Sequence, residues 1–113
     1  LPQYAVLIYA DDSAHSLSAS EQDLAEPNNH GEELAASGAM RVAYAFTPRD
    51  LARSIRISGV TEGPFVDADQ VVAGVYVVDA ADLDSALEIA ATNPAIHGSG
   101  GVEVRLVHSG GVI

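Results

Sequence analysis

The sequence predicts an α+β domain of the split βαβ plan, with one antiparallel sheet and two helices on one of its faces. Three observations lead there. YAVLIYA (4–10) and QVVAGVYVV (70–78) are apolar at almost every position, as strands covered on both faces are. RVAYAFT (41–47) and VEVRLV (102–107) instead alternate, as strands with one wetter face do. A helical pattern follows each apolar strand, so the order is strand, helix, hairpin, strand, helix, strand. The 113 residues fit a single domain, 1–113, built around one core.

Each element has its own local signal. After the first strand, DDSAHSLSAS breaks the pattern with turn formers. Ser20, with Asp23 three residues on, matches a variant of the capping box for a helix running through Leu24 and Leu34 to Gly38. Pro27 and Gly31 inside that span predict a kink or two short pieces. Val42, Tyr44 and Phe46 share one face of the next strand. The turn signal TPRD follows, and residues 51–58 alternate again, which predicts an antiparallel hairpin of 41–47 with 51–58. TEGPF (61–65) reads as a turn, because Gly63 permits tight geometry and Pro64 biases it away from helical values. Asp79 and Asp82 have capping-box spacing before a second helix, whose apolar stripe is Leu83, Leu87 and Ala90 with Ala86 and Ala91 beside it. NPAIHGSGG ends that helix ahead of the last strand. The two apolar strands take the centre of a ferredoxin-like sheet. Its second face then exposes apolar residues, which a second subunit covers in a homodimer.

Composition removes several classes of function. With no cysteine there is no disulfide, thiolate nucleophile or cysteine-bound zinc, as suits a cytoplasmic chain. All five basic residues are arginine, so Schiff-base chemistry and a phosphate-loop lysine are excluded. Sixteen acids bring the formal charge to −11, which favours solubility and repels nucleic acid and anionic membranes. No apolar run approaches the ~20 residues that span a bilayer. The opening LPQYAVLIYADD turns acidic at once, unlike a signal peptide. No metal is expected, because the four histidines lack H-x-x-x-H or H-E-x-x-H spacing. GSGG (98–101) follows a helix and precedes a strand, the reverse of a dinucleotide fingerprint. Ser13, Ser16 and Ser18 stand in a loop without a nucleophile elbow.

The run from VTEGPF through VDADQVVAGVYVV to GGVEVRLV resembles the DGPF branch of the YCII-related proteins. YAVLIYADD and HGEELAASGAM look like that family's first strand and first helix, so the resemblance covers almost the whole chain. It implies a dimeric, ferredoxin-like α+β barrel. Glu62 stands where the family's turn carries Asp, and VDAD replaces its Glu-Thr-Lys-Glu run. The resemblance also implies a site. His30, Leu34 and Gly38 match a His-x-x-x-Leu-x-x-x-Gly pattern whose histidine is an active-site candidate, paired with an aspartate that corresponds here to Asp11 or Asp12. Asn93 stands where relatives have a further aspartate and cannot act as a base.

These residues support a first reading, a cofactor-free enzyme on a small organic molecule. His30 is its general acid/base, and Asp11 or Asp12 fixes the imidazole tautomer. The competing reading of His30 is a half-exposed helix histidine without a role. Glu62, Phe65 and His97 complete the candidate set as ligand-binding residues. Glu62 either accepts backbone hydrogen bonds or faces a cleft, Phe65 pins the turn, and His97 sits in a Gly-rich loop able to reach a pocket. The second function is a non-catalytic small-ligand-binding or regulatory interaction module. Relatives that accompany extracytoplasmic-function sigma factors imply such a setting.

Overall fold

The computed structural model describes residues 1–15 and 38–112. Its strands and helix, in chain order, are β1 (Gln3–Ala10), β2 (Met40–Ala45), β3 (Arg53–Arg56), β4 (Gly59–Glu62), β5 (Val71–Asp79), α1 (Leu83–Ala90) and β6 (Gly101–Leu106). Single 3-10 turns occur at Arg49–Leu51 and Pro94–His97. The expected first helix, with its Ser20 cap and His30, lies outside the described residues. Gly38 takes φ +76°, in the left-handed region that favours glycine.

The main sheet has the order β2-β5-β1-β6 with every neighbour antiparallel, the ferredoxin-like arrangement. The two apolar strands, β1 and β5, occupy its centre as their composition requires. On the face towards α1, Tyr4, Val6, Tyr76 and Val78 are buried with Ala80, Ala86 and Ala90. Ile8, Met40, Ile89, Val102 and Val104 pack around them. On the other face, cross-strand rows run Tyr44–Val75–Leu7 and Val42–Val77–Ala5. Glu103 and Arg105 extend these rows onto β6. Gly74 lets β2 approach, since a Cβ there would stand 2.8 Å from the Tyr44 carbonyl oxygen.

Three expectations need correction. Residues 41–47 do not pair with 51–58. β2 pairs with β5, while the hairpin joins β3 to β4 through a tight turn at Ile57 and Ser58, with Gly59 at φ +132°. Pro48 and the 3-10 turn after it lead the chain away from β2, whose apolar residues gain more against the central strand. Consequently Thr61 and Glu62 end β4, and the expected TEGPF turn begins only at Gly63, φ +95°. The second correction concerns the helix cap. Asp82 is the N-cap of α1 and accepts from the Ser85 backbone N–H, while Asp79 ends β5 and pairs with Arg41. The third is the helix's buried face. Ala86 and Ala90 pack on the sheet, whereas Leu83 and Leu87 are exposed. Small side chains allow a close helix-to-sheet approach, and the leucines flank that contact.

Candidate functional site

β1 leaves the sheet at Ala10 and delivers two aspartates in succession to different tasks. Asp11 turns its carboxylate towards the loop before β6, where Oδ1 accepts from Ser99 Oγ at 2.7 Å and from Gln70 Nε2 at 3.2 Å. Asp12 is used by the backbone. Its Oδ1 accepts the Ser13 and Arg49 N–H groups, both at 2.8 Å, tying the β1 exit to the segment after β2. Ser13 strengthens that tie, donating its hydroxyl to the Phe46 carbonyl and accepting the His15 N–H at 3.0 Å.

Arg49 crosses the same region. One guanidinium nitrogen donates to the Asp11 carbonyl at 3.2 Å, and the other meets Asp67 Oδ1 at 2.8 Å. It stands between two concavities. The larger, about 900 Å³, lies between the sheet's end and the base of the hairpin, with Tyr9, Phe46, Leu51, Phe65, Val66 and Val72 in its walls. The smaller, about 610 Å³, is polar and bounded by Asp11, Arg49, Asp67, Asp69 and Gln70. Both share Arg49, Ala68 and Gln70. An apolar chamber opening beside a few convergent polar groups is the usual form of a small-molecule site.

The hairpin supplies one wall through a defined contact. The Arg56 guanidinium lies 3.8 Å from the centroid of the Phe65 ring and donates to the Phe65 carbonyl at 2.7 Å. That cation–π stack holds Phe65 against the chamber. At the hairpin base, Gly63 N–H reaches the Ala52 carbonyl at 2.9 Å, and Ser54 Oγ donates to the Gly63 carbonyl at 2.9 Å.

The sequence-derived candidates therefore separate. Asp11 bounds the polar concavity and Phe65 the apolar one. Asp12 stitches the backbone. Glu62 is exposed at the end of β4 opposite Arg53, outside both linings. His97 closes the 3-10 turn, also exposed and outside both linings, two residues before Ser99. His30 lies outside the described residues. Asn93 is buried and structural: it caps the 3-10 turn by accepting the Ala95 N–H at 2.9 Å, and its side chain meets the Tyr76 hydroxyl. Burial pushes the Tyr76 phenol above its ordinary pKa, with the Asn93 contact acting in the opposite sense. Sequence reading missed Tyr9, Arg49, Gln70 and Ser99. Arg49 and Ser99 sat inside TPRD and GSGG, stretches whose turn and glycine signals masked their side chains.

Electrostatics elsewhere are structural. Arg41 holds the Asp79 carboxyl below its usual range, first by hydrogen bonding, and the Ser85 backbone N–H does the same for Asp82. Among the described residues, no group of three or more His, Asp or Glu is placed to hold a metal ion. No helix among them is long and apolar enough to cross a membrane.

An antiparallel four-stranded sheet in this order, with α1 on one face, defines the class as ferredoxin-like α+β domains. Within that class, the family model described as "YCII-related domain" matches residues 3–109, and the chain belongs to that family. An uncharacterized protein of Rhizobium meliloti (strain 1021) is 30% identical over 113 aligned residues, covering 90% of this chain and 89% of that protein. That relative is described without an activity, so the likeness carries the family and no reaction.

Proposed function

We propose that this domain binds a small organic molecule in the apolar chamber at the exit of β1, with Asp11 and Gln70 offering polar contacts at its mouth. One observation carries the reading: the Asp11 carboxylate, held by Ser99 and Gln70, bounds a polar concavity that shares Arg49, Ala68 and Gln70 with an apolar chamber of about 900 Å³. The finer reading gives His30 the role of general acid/base on the bound molecule. The fixed Asp11 carboxylate supports its choice as the orienting partner, because Asp12 is occupied by two backbone donors. Proton transfer, isomerisation or elimination suits such a pair.

Fragments screened by ligand-observed NMR test the binding. Hits are expected to lose contact with Val72→Trp, which fills the chamber, and with Asp11→Asn, while Asp12→Asn retains them. Hits that ignore Val72→Trp sink the site. The histidine titration separates enzyme from binding module. If Asp11 orients His30 as proposed, Asp11→Asn lowers the imidazole pKa by removing that carboxylate. An unmoved titration leaves the non-catalytic module in place of the enzyme.

The same reading includes a homodimer through the open sheet face. Val42 and Tyr44 remain exposed there, in the rows that Val75, Val77, Leu7 and Ala5 continue. A contiguous apolar face of this kind is what a second subunit covers.

A further inference from the structure

The β3–β4 hairpin stands off the sheet. Its strands form a separate two-stranded unit and pack against no other strand or helix of the described residues to any comparable extent. A lone two-stranded hairpin is marginal in water unless another layer covers it. Alternation sorts its faces. Ser54 and Arg56 turn towards Gly63 and Phe65 at the chamber. The opposite face carries the cross-strand pair Ile55–Val60, 74% and 67% exposed, and Ile57 stands fully exposed at the tip. Three β-branched apolar residues on one free hairpin form a surface that water does not favour.

Charge is distributed just as unevenly. Residues 49–65 hold Arg49, Arg53 and Arg56, three of the chain's five arginines, with Asp50 and Glu62, two of its sixteen acids. The remainder carries fourteen acids against Arg41 and Arg105.

We propose that this hairpin is an arm that docks on a second copy of the chain through Ile55, Ile57 and Val60. The charge selects the occupant. Arg53 shares the face of Ile55, whereas Arg56 turns to Phe65 and Arg49 pairs with Asp67. The hairpin still holds two arginines against Glu62, so two copies of a chain at −11 repel one another least where the hairpin of one meets the acidic body of the other. Two-fold symmetry makes the contact reciprocal, each arm on its partner's body. The inference rests on the homodimer and adds a contact that the sheet face alone does not contain.

The chain has no cysteine, so Ile57→Cys carrying an environment-sensitive dye reports the arm tip alone. Followed beside sedimentation equilibrium from nanomolar to micromolar concentration, its emission is expected to shift to the blue over the range in which the mass doubles. Ile55→Asp places a carboxylate against an acidic body and is expected to raise the dimer dissociation constant about tenfold or more. Ile55→Val is expected to change it by about twofold or less. Ile55 is exposed in the single chain, so far-UV circular dichroism of the monomer should be the same in all three. A dimer with an unshifted tip, or one indifferent to Ile55→Asp, overturns the arm and spares the sheet-face dimer. A chain monomeric throughout overturns both. A tip that responds only to added polyglutamate assigns the arm to a different acidic partner and equally refutes the inference.

Discussion

Adjacent aspartates at the end of β1 show how far residue type falls short of residue role. Asp12 holds two backbone N–H groups, and Asp12→Ala leaves both without that acceptor. The expected loss is about 1–2 kcal/mol in urea denaturation. Asp11→Asn keeps an oxygen for Ser99 and is expected to leave stability within about 0.5 kcal/mol. Equal losses from the two variants would contradict this division of labour. Asp79 and Asp82 make a prediction about acid. Both folded-state pKa values are depressed, so the stability they bring is present above the unfolded carboxylate value, about 4. It is lost as pH falls through their folded values. Urea midpoints should therefore drop below about pH 4, and less steeply in Arg41→Gln, which lacks the donor to Asp79. Arg41 is largely exposed, so the difference is small and screened by salt. Identical acid profiles for the two proteins would dismiss the pair.

Elements meet where side chains are smallest. Ala86 and Ala90 let α1 lie close on Val6 and Val78, and Ala86→Leu inserts three carbons into that contact. The expected cost is about 1–3 kcal/mol, against about 0.5 kcal/mol for Leu83→Ser on the exposed flank. Chemical denaturation of both variants checks the helix's orientation, and the reverse ranking would mean that the leucines face the core. The Gly-rich loop before β6 is tighter still. A Cβ on Gly100 would stand 1.9 Å from the Tyr9 carbonyl oxygen, whereas one on Gly101 meets nothing within 4 Å. Gly100→Ala is expected to cost about 3 kcal/mol or more and to pull Ser99 from Asp11, while Gly101→Ala stays within about 1 kcal/mol. Thermal denaturation with amide NMR at residues 9–11 separates the two. The hairpin illustrates the limits of local pattern. Ser58–Gly59 is a recognisable turn signal, yet alternation on both sides of Pro48 suggested an earlier one. Only the availability of β5 as a partner for β2 excluded it.

At the scale of the molecule, charge and apolar surface act against each other. A net charge of −11 keeps copies apart, while the open sheet face favours bringing them together. The expected outcome is a homodimer at micromolar concentration and moderate salt, which sedimentation would refute by returning a single-chain mass. The same charge leads to the expectation that titration with a DNA or RNA fragment shows no salt-sensitive binding.

The sequence by itself determined the apolar character and central place of β1 and β5, the alternation of β2 and β6, the family and the acidic surface. Each of these depends on composition or on a periodicity contained within one short segment. Only the tertiary structure decided that β2 pairs with β5, that Asp82 rather than Asp79 caps α1, and that alanines rather than leucines face the sheet. It alone brought Arg49, Gln70 and Ser99 into hydrogen bonds with Asp11. Those residues come from four separate connections between elements. Their meeting depends on which strands are neighbours, a long-range competition among pairings that no local pattern encodes.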